Sequence, residues 1–274
     1  MKASDDYILG RSEAETRRLI LQHQIYGPIT RRFLSAAGIG AGMTVLEVGS
    51  GAGDVALLLA DLVGPRGRVI GVETNAAILD TARRRTDAIG WTNVTFVNAD
   101  VRELALDSTF DAVVGRWILM FLSDPASVLR SLATRLRRGG IVAFHESDFT
   151  YPPAVFPASE LSEQIQRWTI PTPGTPGPDM RLGTKLLKTY LNAGLPTPEL
   201  VVEAPVDGGP DWPKYEYLAQ TFRSLLPTLR TLTGVDPEQV DLDTLAARLR
   251  DDVVGRQAVQ MLPMIFGAWT RKPD

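Results

Sequence analysis

Residues 45–54 read VLEVGSGAGD: an apolar run closing on an acid, three glycines at 49, 51 and 53 alternating with small residues, and a second acid. MTVLEV (43–48) has the character of a buried strand, and DVALLLADLV (54–63) that of a helix ended by Gly64-Pro65. The glycines therefore occupy a strand-to-helix turn, where backbone can approach a ligand with no Cβ in the way. A phosphate cradle is the first expectation, but the residues do not meet its patterns. The dinucleotide fingerprint G-x-G-x-x-G fails because the third glycine comes one residue early, and the Gly-Lys-Ser/Thr of a Walker loop is absent. Glu47 and Asp54 also bracket the loop, and like charges at about 4 Å repel by roughly 1–4 kcal/mol depending on screening. A group carrying an ammonium or sulfonium suits this turn better than a pyrophosphate.

Outward from the loop the same alternation continues. Strands are expected at RVIGVE (68–73), VTFVNA (94–99), FDAVVGR (110–116) and GIVAFHES (140–147), with helices over 75–90 and 125–137. Apolar strands spaced by helices describe an α/β fold with a parallel sheet covered on both faces. Before it, Ser12 and Glu15 form a capping box for a helix to about 26, and Pro28 starts another that ends near Gly38. After it, seven prolines fall between 151 and 178, leaving only SELSEQIQRW (159–168) able to form a helix, which reads as an insertion. A helix over 179–193, a strand near 198–205, helices over 214–232 and 236–253 and a last strand near 260–270 complete the chain.

Two further acids fall in register with the loop. Glu73 ends the second strand, where a carboxylate can take both hydroxyls of a ribose, and Asp100 in VNADV ends the third, within reach of an adenine amino group. A single strand-end acid is ordinarily just solvated. Glu47, the glycine loop, Glu73 and Asp100 together line the carboxyl ends of successive strands, where open α/β sheets bind ligands.

Composition narrows the function classes. With 274 residues, 44% hydrophobic and 22% charged, the chain can bury a full core, and a net charge of -3 carries no footprint for nucleic acid. Its longest basic run, Arg83-Arg84-Arg85, lies in a helical pattern and reads as a solvated face. There is no cysteine, which removes disulfides and thiol chemistry and fits a reducing cytoplasm. The first residues lack a signal-peptide core and no stretch is long enough to span a membrane, so a soluble, unprocessed protein is expected.

VLEVGSGAGD, VIGVE, VNADV, FDAVVGRWILMFL and LRRGGIVAFHE, between about Thr44 and Asp148, together resemble the class I S-adenosylmethionine-dependent methyltransferases. LRRGG (136–140) matches the family's leucine-basic-proline-glycine-glycine turn before strand five, with Arg138 in place of proline. The resemblance implies a Rossmann-like sheet of seven strands, the last antiparallel, and S-adenosylmethionine as cofactor. It implies that Glu47, Gly49, Ser50, Gly51 and Gly53 hold the amino-acid end, Glu73 with Thr74 and Asn75 the ribose, and Asp100 with Val101 the adenine. The segment YILGRSEAETRRLILQHQIYGPITRRFLSAAGI further resembles bacterial small-molecule enzymes of the ubiquinone/menaquinone-biosynthesis type found in secondary metabolism. Among these are enzymes methylating indole carbon 3 of tryptophan-containing cyclodipeptides, and in that resemblance Tyr7, Arg11 and Gln22 close over the cofactor. The implied organisation is a helical cap over 1–40, a cofactor-binding core over 41–150, lid and acceptor-binding insertions over 151–260 with strand six between, and a final core strand over 261–274.

Methyl transfer is an in-line displacement, so the protein must mainly align donor and acceptor near 3–3.5 Å and accept a proton. Candidates stand at the ends of strands four and five: Arg116, His145 and Glu146, with Arg116 also beside the cofactor, and Tyr7 from the cap. His145 and Glu146 alternate, so one faces the site and the other a packed face. Trp117, Phe121, Phe149, Tyr151 and Trp168 are candidate acceptor-binding residues; equally, the aromatics of the insertions form a small satellite core. If they line a pocket, the acceptor is small, flat and largely apolar: an indole carbon or nitrogen first, a phenolic oxygen second. No residues have metal-ligand spacing, which disfavours magnesium-dependent catechol chemistry. No nucleic-acid or membrane partner is expected, and a homodimer is compatible with the sequence. A nicotinamide-dependent oxidoreductase and a non-catalytic cofactor-binding scaffold are the alternatives from other classes.

Overall fold

The computed structural model describes residues 13–104, 109–151, 153–169, 177–233 and 240–273. The chain divides into two units, one of residues 26–148, 178–203 and 265–274, the other of residues 1–25, 149–177 and 204–264.

The first unit is built on the expected sheet. Its strands are β1 (Thr44–Val48), β2 (Arg68–Glu73), β3 (Val94–Asn98), β4 (Phe110–Arg116), β5 (Leu136–Ser147), β7 (Glu199–Glu203) and β10 (Ile265–Arg271); β6, β8 and β9 belong to the second unit. They lie in the order β3-β2-β1-β4-β5-β10-β7. β10 runs antiparallel to both β5 and β7, and the β1–β4 neighbours make a topological switch point where a ligand crevice forms. α2 (Asp54–Val63) and α3 (Ala76–Ile89) cover the sheet through Leu59, Ala60, Leu79 and Ala82, packed with Val45, Val69 and Phe96. α3 is capped as its sequence dictates, Asn75 accepting from Ala77 N–H at 3.1 Å and Gly90 ending it with φ 79°. α4 (Pro125–Thr134) stops earlier than expected, and LRRGG is not a turn before β5 but part of that strand. Leu136 pairs with Phe110, after which the register jumps so that Ala112 faces Ile141. The intervening residues bulge, with Gly139 at φ 68°. Residues 178–203 pack with this unit as α6 (Leu182–Asn192) and β7, the latter the strand expected between the lid insertions.

The N-terminal region departs from expectation. α1 runs unbroken over Glu13–Ala36 with Pro28 inside it, although proline there denies the carbonyl of Gln24 its helical donor. Burial of Tyr26, Ile29, Phe33 and Leu34 along one face outweighs that loss. Ser12 of the expected capping box lies outside the described residues; the buried Glu15 carboxylate accepts from Arg18 at 2.7 and 2.8 Å.

The second unit contains α5 (Glu160–Thr169), α7 (Lys214–Thr233) and α8 (Leu245–Gly255), together with a three-stranded antiparallel sheet not anticipated from sequence. That sheet is β6 (Val155–Phe156), β9 (Val259–Met261) and β8 (Val206–Asp207), with β9 central. The single strand expected near 260–270 is thus two, β9 and β10, separated at Pro263, which has no N–H for a ladder. No helix among the described residues is long and apolar enough to cross a membrane.

Candidate functional site

The glycine turn has the geometry its sequence implies. Gly49, Gly51 and Gly53 take φ values of 73°, 52° and 84°, the left-handed region open to glycine. A Cβ on Gly49 would lie 2.9 Å from the Ile118 side chain, so any larger residue there would have to displace it as well as strain the backbone.

Glu47 rises from β1 beneath this turn, almost wholly buried, with Oε2 lacking any hydrogen-bond partner. Burial pushes its pKa up to about 8, with Asp54 and Glu73 adding to the rise and Arg116 opposing it. An unsatisfied buried acid at the foot of a glycine loop fits a ligand that brings its own cation. Asp54, the other bracketing acid, does not share that role. It is paired with Arg85 at 2.6 Å, and Arg85 also bonds the Ala52 carbonyl at 2.6 Å. Because Arg85 already neutralises Asp54, Glu47 is the acid that a phosphate on this turn would meet.

Glu73 is held by the backbone it serves. Its Oε1 accepts from Thr74 N–H at 2.8 Å and Asn75 N–H at 3.0 Å, and its Oε2 from Gly51 N–H at 3.1 Å. This ties the end of β2 to the glycine turn. Thr74 and Asn75 contribute those N–H groups, while the Asn75 side chain is spent on capping α3. Ser50 is buried with its hydroxyl unpartnered. Asp100 is ion-paired with Arg102, which holds its carboxyl below the usual range, and buried Val101 follows it.

Parallel register places Glu47 beside Val114 and Arg116 beside His145, so alternation puts Glu47, Arg116 and His145 on one face of the sheet. Arg116 donates to Thr30 Oγ1 at 3.1 Å; the Thr30 hydroxyl donates to the Tyr26 carbonyl at 3.0 Å and lies 3.5 Å from His145 Nδ1. His145 is fully buried, and desolvation with the Arg116 charge holds its pKa well below the usual value. It is a neutral imidazole at physiological pH. Glu146 points the other way and is no more open: Oε1 accepts from Ile118 and Leu119 N–H at 2.9 and 2.8 Å, while Oε2 has no partner. Burial pushes its pKa up to about 8 despite those backbone bonds.

The segment Glu146 grips begins at Trp117, which has φ 52°, a strained conformation for a bulky residue. Three contacts hold it: its N–H donates to the His145 carbonyl at 2.9 Å, its indole N–H to Ser147 Oγ at 2.8 Å, and its ring packs edge-on to Tyr26 at 4.9 Å. The Arg116 guanidinium lies 5.0 Å from the same ring centroid. Phe121 is partly exposed on the turn that follows. Sequence reading had no signal for Thr30 or Phe33, whose roles come from helix packing alone.

The remaining candidates belong to the second unit or lie outside the description. Gln22 bonds the Tyr217 hydroxyl at 3.2 Å. Trp168 packs on Phe222 at 5.6 Å, the satellite-core alternative, whereas Phe149 is half-buried and Tyr151 exposed. Tyr7 and Arg11 lie outside the described residues.

A family model described as a methyltransferase domain matches residues 39–180, just over half the chain. The chain is 34% identical over 113 residues to a ubiquinone/menaquinone biosynthesis C-methyltransferase of Hahella chejuensis, covering 40% of this chain and 45% of that protein. It is 30% identical over 179 residues to a 2-phytyl-1,4-naphtoquinone methyltransferase of Nostoc sp., covering 64% and 72%. The chain spans 40–48% of the length of the first curated relatives it matches. Among solved structures, a SAM dependent methyltransferase from Aquifex aeolicus superposes with a TM-score of 0.52 at 18% identity, over 71% of this chain and 92% of that one, a likeness of fold.

Proposed function

The chain belongs to the methyltransferase domain family, and from that premise we propose that it transfers the methyl group of S-adenosylmethionine to a small, largely apolar aromatic acceptor. The observation that carries this reading is Glu47, a buried and unsatisfied carboxylate under a left-handed glycine turn. When bound, the cofactor supplies a methyl group already activated on a sulfonium. Glu47 and the turn Gly49–Gly53 hold its amino-acid end, Glu73 its ribose, and Asp100 with Val101 its adenine. The three backbone hydrogen bonds that immobilise Glu73 orient its carboxylate in advance of the ribose. Arg116, set by Thr30, positions charge beside Glu47, and Glu146 holds the Trp117–Phe121 turn that presents aromatic surface to the acceptor.

The leading acceptor is an indole carbon or nitrogen of a tryptophan-derived cyclodipeptide; a phenolic oxygen is the second reading. Relatives named as C-methyltransferases support carbon as the methylated atom. The depressed pKa of buried His145 makes it a weak base, and Glu146, buried on the opposite face with a pKa of about 8, is mostly protonated at pH 7, so neither is placed to take a phenol's proton, which suits an electron-rich carbon better. Titration calorimetry with S-adenosylhomocysteine tests the cofactor: wild type binds, Glu73→Ala binds at least tenfold more weakly, and equal binding by the two overturns the assignment. Mass spectrometry of reactions with cyclodipeptides and phenols then ranks the acceptors. A homodimer is carried as part of the proposal, with light scattering as its check.

A further inference from the structure

β7 is an edge strand of the seven-stranded sheet. Its register sets Leu200 opposite Ala268 and Val202 opposite Phe266 of β10, so their side chains leave one face. That is the face α6 covers, since a Cβ on Gly183 of α6 would lie 2.7 Å from the Phe266 ring. Val201 points to the other face, against the core cluster that contains Phe33. α6 lies over β5 and β10 and stops short of the edge. Lys185 pairs with Asp179, whose N–H donates to the Met120 carbonyl just past β4, so that flank of α6 turns toward β4. Leu187 and Leu191 stand roughly half a turn around the helix from Lys185, on the flank toward β7. Leu187, Leu191, Leu200 and Val202 thus line one groove between α6 and the edge strand, and they are 39%, 48%, 51% and 50% exposed.

Edge strands are ordinarily protected by lysine, proline or a bulge, and β7 has none of these between Glu199 and Glu203. An unpaired strand beside four exposed aliphatic side chains is a template for another strand, and its charges select which. Glu199 is exposed and has no ion pair among the described residues. Arg32 of α1 reaches Glu203 through Nε and Nη2, at 3.1 and 2.5 Å, which leaves Nη1 for a second acid. We propose that a second copy of this chain docks here, β7 pairing antiparallel with β7 about a two-fold axis through Val201, so that the two sheets become one. Leu200 of each copy then stands opposite Val202 of the other, and Glu199 opposite Glu203, where Arg32 Nη1 offsets the repulsion of the two acids. A slip by one residue would turn the second copy over and part its leucines from those of the first. In the two-fold register Leu200 and Val202 of both copies form a shared apolar layer, closed on either side by Leu187 and Leu191, and an isologous contact covers both edges at once. This interface gives the homodimer of the proposed function its surface, resting on that reading for the dimeric state and not for the chemistry.

The chain contains no cysteine, so Val201→Cys places a single thiol on the two-fold axis. Opposed residues of an antiparallel pair stand about 4.5–5.5 Å apart at Cα, within the span of a disulfide. Mild oxidation of the full chain should convert this variant to a covalent dimer on a denaturing gel, whereas a single cysteine at exposed Ser131 of α4 should leave it monomeric. Light scattering over a concentration series should show wild type as a dimer and Val202→Lys and Arg32→Glu as at least tenfold weaker dimers, with Glu199→Arg added to Arg32→Glu restoring most of the association. A dimer that none of these changes weakens, and that Val201→Cys does not trap, uses another surface: it overturns this interface and leaves the homodimer standing. A wild type that stays monomeric overturns both, its edge being idle or taken by a strand of another protein. Should Val201→Cys fail to fold, the charge exchange at exposed Arg32 and Glu199 decides alone.

Discussion

The imidazole of His145 stacks on the ring of Phe33, with 4.5 Å between centroids and 21° between planes. It is therefore a packed aromatic on the site face of the sheet, and its proton chemistry is suppressed by that packing. His145→Ala is expected to destabilise the protein by about 2–4 kcal/mol in urea unfolding, the cost of removing a large buried side chain. No limb near pH 6.5 in the rate profile is expected to vanish with it. A limb that His145→Gln abolished while leaving stability intact would show instead that the ring titrates during turnover.

Glu47 makes a signed prediction about pH. A carboxyl whose folded pKa is raised from 4.5 to about 8 contributes stability present below pH 4.5 and lost as pH rises through 8. Glu47→Gln should remove that loss, so the variant gains on wild type between pH 5 and 8, by at most about 5 kcal/mol. The same change should weaken S-adenosylhomocysteine by tenfold or more. Parallel chemical denaturation at several pH values and calorimetry read the two effects separately.

Asp54 and Arg85 give a contrasting pair of variants. Arg85→Met strands a buried carboxylate and should cost about 2–4 kcal/mol. Asp54→Asn should change cofactor affinity less than threefold, because its charge is already met by Arg85. A large affinity change there, measured by calorimetry, would return Asp54 to the binding site.

Gly49→Ala combines a positive φ of 73° with a 2.9 Å approach to Ile118. A loss of about 1–3 kcal/mol in thermal or urea unfolding is expected. Ile118→Val removes Cδ1 at 2.9 Å but leaves Cβ and a γ carbon near 3.0–3.1 Å and the backbone strain, so the double variant should recover only part of the loss.

Features set by local pattern were legible in the chain itself. The run VLEVGSGAGD required a strand, a left-handed turn and a helix, because alternation, glycine conformational freedom and helical periodicity are properties of neighbouring residues. The same held for the parallel strands and the helices between them, whereas the count of seven strands came with the family resemblance. Alternation likewise required His145 and Glu146 to part, but only packing against α1 decided which faced Thr30 and Arg116. Pro28, a breaker by local rules, sits inside α1 because burial of Phe33 and Leu34 outweighs one lost hydrogen bond. Arg85 meets Asp54 from 31 residues away, and Asp207 stands opposite Gln260 only because β8 and β9 pair. Charge pairing and burial depend on which surfaces the fold brings together across long separations, and no local periodicity encodes that.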